Sequence, residues 1–208
     1  YTLWHTLSLH DALPILFRKY LIIGGMPEII KHYLEFSDLH ALAPIYDSLI
    51  IAYKDDIEKY AASTIQGNIL RHSIDHIFLE AGKRIKFEGF GNSNYRSREM
   101  KEALLALERA LLIQLIYPVT SVNLPLQPDH RKSPKLQVVD TGLINHVSGI
   151  RKELFGAKVL DSVYEGRVAE HIVGQELISL SGSLLQKEKF WIRQQESDAE
   201  VDYLYTFD

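Results

Sequence analysis

Cysteine is absent from all 208 residues, which excludes disulfides, thiol catalysis and cysteine-ligated zinc. No apolar run is long enough to cross a bilayer. The chain opens without a basic leader or a small-residue cleavage site, so no secretory signal is expected and a cytoplasmic location follows. An excess of either charge is lacking too, with 23 lysines and arginines against 27 acids. The net charge of −4 argues against a surface coated by nucleic acid while leaving room for a local basic face. Gly24-Gly25 is not followed by Gly-Lys-Ser/Thr, so there is no Walker A loop to cradle ATP, and the pair reads as a turn and cap. What is present is ordinary: 46% hydrophobic and 24% charged residues describe a folded chain long enough for one or two domains.

The charges are unevenly spread. Lys83 to Lys135 holds ten lysines and arginines against five acids, whereas Asp161 to Asp208 holds four against ten. A basic middle beside an acidic end suits a backbone-gripping module next to a cation-requiring one. It also suits two unremarkable solvated surfaces.

Thr6 to Ile15, TLSLHDALPI, reads like one frame of a common sequencing adapter, so residues 1–15 are set apart from the fold as an adapter-derived artefact. Pro27 stands at a natural first helical position with Glu28 in the first turn. Asp38 is a cap ahead of a helical stretch whose face is Ile45, Leu49, Ala52 and Tyr53. A further helix is predicted from Gln66 to Ala81. His72 and His76, one turn apart on it, have zinc-ligand spacing, but no third ligand is evident and solvated histidines are the expectation.

The segment from Phe87 to Val119 reads as loop, helix, strand. Ser97 is the predicted N-cap, Glu99 lies in the first turn, and Met100, Ala103, Leu104, Leu107 and Leu111 form the core stripe. LIQLIYPV and KLQVVD are strands. Three helices followed by a two-stranded ribbon is the order of a winged-helix domain. Arg96, Arg98, Lys101 and Arg109 on or beside the third helix are the candidate nucleic-acid-binding residues, set to grip phosphates. Leu105 and Leu112 fall on the same side, so packing against another domain is the competing use of that surface.

Glu170 lies in the helical pattern GRVAEHIVGQELI, with Arg167 and His171 beside it. Asp202 lies in the strand VDYLY, paired with FWI (Phe190 to Ile192) around a polar turn. A carboxylate carried by an alternating strand toward a half-buried position requires a cation or partner. Two carboxylates on neighbouring elements make half of a metal site for phosphodiester chemistry. Glu170 and Asp202 are therefore the candidate catalytic pair. The alternatives are a solvated helix glutamate and a surface aspartate on an edge strand. Trp191 reads as a core aromatic.

Six landmarks in order carry a resemblance: YLIIGGMPE (Tyr20–Glu28), YKDDIEKY (Tyr53–Tyr60), REMKEALLALERALLIQLIYPV, KLQVVDTGLI (Lys135–Ile144), EGRVAEHIVGQEL (Glu165–Leu177) and FWIRQQESDAEVDYL (Phe190–Leu204). Together they resemble prokaryotic AAA-type ATP-binding proteins with a C-terminal DUF4143 domain, similar to PD-(D/E)XK nucleases. The resemblance implies an α+β, mostly helical chain: a helical ATPase-lid remnant over 16–62, a winged-helix-like segment over 63–148 and a truncated nuclease-like α/β domain over 149–208. It implies Mg²⁺ as cofactor, with Asp202 as metal ligand, Glu170 as the helix acid, and Glu200 matching Glu-x-Asp without a role. ATP would belong only to a missing N-terminal AAA domain, itself a partner, and the Glu-x-Lys strand would lie past Asp208. The expected function is thus a fragment, itself inactive, of an ATP-binding protein acting on DNA, able to form an oligomer and independent of membranes. The alternative is a non-catalytic DNA- or protein-binding regulatory module.

Overall fold

Helices dominate because the chain repeatedly sets apolar residues three and four positions apart. The computed structural model describes residues 9–59, 61–121, 123, 126–149, 167–180, 190–193 and 200–204. Helix α1 (Leu9–Ile23) turns through Gly24-Gly25 into α2 (Pro27–Phe36), with Pro27 in the first turn and Glu28 beside the helix N-terminus. Asp38 accepts from the His40 amide at 2.8 Å and opens a 3₁₀ turn that leads into α3 (Ala43–Glu58). Helix α4 (Thr64–Glu80) is capped by the Ser63 hydroxyl, which accepts from the Gln66 amide at 3.2 Å. Helix α5 (Ser97–Arg109) is followed by β1 (Ile113–Ile116), β2 (Lys135–Val138) and α6 (Thr141–Val147). Then come α7 (Arg167–Leu180), β3 (Phe190–Arg193) and β4 (Glu200–Leu204).

The result is mostly helical with two small antiparallel sheets, an α+β arrangement. Strands β1 and β2 pair Ile113 with Val138 and Ile116 with Lys135. Strands β3 and β4 pair Phe190 with Leu204 and Arg193 with Glu200, with an irregularity between Phe190 and Ile192. The core lies where α3, α4 and α5 meet the ribbon, and Tyr46, Phe78, Met100, Leu104, Leu107 and Leu115 are fully buried in it. The Tyr46 hydroxyl donates to the Ile23 carbonyl at 2.6 Å, so this polar tip in the core is satisfied and fixes α3 to the end of α1.

Several expectations are corrected here. The N-cap of α5 is Arg96, not Ser97: its backbone is extended, and Glu99 accepts from its amide at 3.1 Å. Met100, Ala103, Leu104 and Leu107 are buried as the stripe required, but Leu111 is 56% exposed. The reason is a Schellman ending. The Leu112 amide bonds to Leu107 O (3.1 Å) and that of Leu111 to Glu108 O (3.0 Å), which puts Leu111 at φ 60° and delivers Leu112 to the core instead. Ala52 is exposed, and Tyr46 and Ile57 complete the buried face of α3. His72 and His76 are half-buried, not solvated. Their rings lie 4.1 Å apart, His72 Nε2 donating to Phe90 O (3.1 Å) and His76 Nδ1 to His72 O (2.8 Å). They hold the 90–92 turn against α4. Among the described residues, no helix is long and apolar enough to cross a membrane. The segments 1–8, 150–166, 181–189, 194–199 and 205–208 lie outside the described residues, as does the side chain of Trp191.

Candidate functional site

Alternation along β2 sends Leu136 and Val138 into the core and Lys135 and Gln137 to the opposite face. An alternating K-L-Q-V run predicts that this second face meets water. It does not: Lys135 and Gln137 are 2% and 0% exposed. Helix α7 and strand β4 cover them, and every buried polar atom on that face then needs a partner.

The partners are specific. The Lys135 ammonium bonds to Glu170 Oε1 on α7 and lies 3.2 Å from Asp202 Oδ1 on β4. The Tyr203 ring stands 5.5 Å from the same ammonium, adding a cation–π contact. Gln137 Nε2 donates to His171 O at 2.8 Å, and its Oε1 accepts from the Tyr203 hydroxyl at 3.1 Å. The Val138 amide donates to His171 Nε2 at 2.9 Å, so this imidazole is neutral with its proton on Nδ1. The Thr141 amide donates to Gln175 Oε1 at 3.0 Å. Burial, with the Asp202 charge adding to it, pushes the Tyr203 phenol well above the usual tyrosine range and keeps it a donor. Gly174 permits the close approach: a Cβ there would collide with Gln137 Oε1 and the Tyr203 hydroxyl.

A second cluster adjoins the first through Thr141. Asp140 caps α6 by accepting from the Leu143 amide at 3.0 Å, and it also accepts from the Gly25 amide at 2.6 Å across the α1–α2 elbow. The Gly142 and Met26 amides are directed at the same carboxylate. Burial nonetheless wins and raises the Asp140 carboxyl above its ordinary value, while these four amides oppose the shift. Gly24, at φ 70°, has no room for a Cβ against this carboxylate. Beside it, Tyr20 donates to Glu176 Oε1 at 2.8 Å and accepts from Gln175 Nε2, which ties α1 to α7. Burial, then the hydrogen bond and charge of Glu176, pushes the Tyr20 phenol up to about 12.

The structure therefore brings Glu170 and Asp202 together, 32 residues apart in sequence, on one lysine. Asp202 is less enclosed than its strand pattern implied, with its side chain 60% exposed against 3% for Lys135. Glu200 stands across from Arg193 in the β3–β4 pair. The candidate phosphate-gripping residues belong to α5. Arg96, Arg98 and Arg109 are exposed, Arg98 pairing with Glu102 at 3.1 Å, and Lys101 is half-buried with its ammonium 5.7 Å from the Phe87 ring. Leu105 packs partly against the core and Leu112 is buried, which accounts for their place on that side of the chain.

The Mg²⁺ expectation rests on Glu170 and Asp202. Mg²⁺ can be held by one or two carboxylates with water completing its shell, but here a buried ammonium already engages both carboxylates and offsets one of their two charges. Among the described residues, no group of three or more His, Cys, Asp or Glu is placed to share an ion. Lys135, Gln137, His171 and Gln175 are the site residues that sequence reasoning misses. For Lys135 and Gln137 the signal is the polar half of the β2 alternation, which reads equally well as a solvated face; His171 and Gln175 lie on α7 and have no part in that pattern.

Comparison with known families corrects the resemblance to DUF4143 and AAA-type proteins. The matching family model is described as Domain of unknown function (DUF8612) and covers residues 15–154, and neither of the expected families matches. No curated protein and no solved structure matches the chain.

Proposed function

Because the chain belongs to the family described as Domain of unknown function (DUF8612), we propose its role from its own geometry: a non-catalytic module that binds nucleic acid through α5. The observation that carries this reading is the division of that helix. Met100, Ala103, Leu104 and Leu107 bury one side, while Arg96, Arg98 and Arg109 stand in solvent. The order α3, α4, α5 and then the β1–β2 ribbon is that of winged-helix modules, which supports the same assignment. The Arg98–Glu102 pair is a surface i,i+4 contact, weak enough to be exchanged for a phosphate.

The carboxylate pair is compatible with a binding role, since a buried internal ammonium engages both of its members. The test is fluorescence anisotropy with a short labelled DNA duplex over a salt series. Affinity should fall linearly on log–log axes, and Arg98→Ala with Arg109→Ala should flatten the slope by about 2, one for each phosphate that its arginine no longer grips. Binding untouched by salt, or by these substitutions, would remove α5 as the interface.

A further inference from the structure

The polar bonds between the ribbon and α7 run one way. Lys135 Nζ, Gln137 Nε2 and the Val138 amide, all on β2, are donors; Glu170 Oε1, His171 O and His171 Nε2, all on α7, accept from them. Asp202 on β4 adds a second carboxylate to the same ammonium. Such a face, positive and rich in donors, is what a phosphodiester backbone requires of a protein. Glu170, His171 and Asp202 imitate that backbone by presenting anionic and neutral acceptors to it, while the Tyr203 hydroxyl on β4 runs the other way and donates to Gln137 Oε1. Among the described side chains of α7, Ile172 is the fully buried hydrophobic, Leu177 and Ile178 are half-buried, and Val173 and Leu180 are 51% and 68% exposed.

From this juxtaposition we propose that the Lys135–Gln137 face of β2 is a second nucleic-acid-backbone surface, and that α7 with β4 is its built-in occupant. Glu170 and Asp202 stand where phosphate oxygens would. Release of α7 and β4 exposes a charged amine and an amide, groups that water solvates well, so undocking uncovers no large apolar patch on β2. The proposal rests on the reading that this chain handles nucleic acid. It adds to that reading a site α5 does not contain and an internal segment that controls it.

The test uses the full chain and the same labelled duplex. Two variants open the cover by different means. Glu170→Gln with Asp202→Asn removes two anions that hold Lys135, and Gly174→Ala drives a methyl into Gln137 and Tyr203 while changing no charge. Both should bind the duplex more tightly, with a salt slope steeper by about 1, as one further neutralised phosphate requires. Lys135→Gln placed in the Gly174→Ala background should return binding to the wild-type level. Hydrogen exchange at the Val138 amide, which His171 protects in the closed form, should accelerate in both opened variants, and helical circular dichroism checks that the body stays folded. A gain confined to the double carboxylate variant would be a net-charge effect and would overturn the proposal. So would faster Val138 exchange in both variants with no gain in binding. Either result leaves the α5 reading standing if Arg98 and Arg109 still govern affinity. Binding absent from every variant overturns the nucleic-acid reading itself.

Discussion

Lys135 shows how a single residue can be misread when only its own strand is considered. Its alternation with Leu136 predicts a solvated side chain, and a covering layer remote in sequence reverses that outcome. Gly174 is the reciprocal residue on the cover. Gly174→Ala is expected to cost about 1–3 kcal/mol, the usual range for forcing an extra methyl into a packed site, read as a lower midpoint of thermal unfolding. Tyr20 gives a pH signature. Its folded phenol titrates near 12 instead of 10, so the folded state favours the protonated form. Its contribution is full below pH 10 and is lost as pH rises toward 12. Stability followed by circular dichroism across that window should decline less steeply in Tyr20→Phe; an unchanged slope would show that other groups control alkaline unfolding.

Elements are more legible than the way they meet. The third helix, the two ribbon strands and the C-terminal hairpin all follow from local periodicity and turn chemistry, because their residues pack within or beside their own neighbourhood. Helix ends are less legible. Arg96 caps α5 through its backbone and Glu99, which composition does not favour over Ser97. Leu111 reads as a core residue because the helical spacing continues past the point where the helix stops. The Schellman ending puts a branched side chain into the left-handed region, where a Cβ costs roughly 1–2 kcal/mol. Leu111→Gly should therefore stabilise the fold by about 1 kcal/mol, since glycine is the usual residue at this position, and the midpoint of urea unfolding would register it. The carboxylate pair is legible as two acids on neighbouring elements, but its counter-ion is not, because Lys135 belongs to neither of them.

For the molecule as a whole, stability should be unequal. The helical body shares one apolar core, whereas α7 is joined to β2 by the polar bonds at Glu170 and His171. Native-state hydrogen exchange is expected to show the amides of α7 opening at lower free energy than those of α4 and α5. Equal protection throughout would mean the cover and the body unfold as one unit. Asp140 bears on how the chain can be shortened. Two of the four amides directed at its carboxylate come from Gly25 and Met26. Trimming the protein to begin at Pro27 would discard them, strand an acid among apolar walls and loosen the start of α6, so any useful N-terminal deletion has to stop short of that elbow.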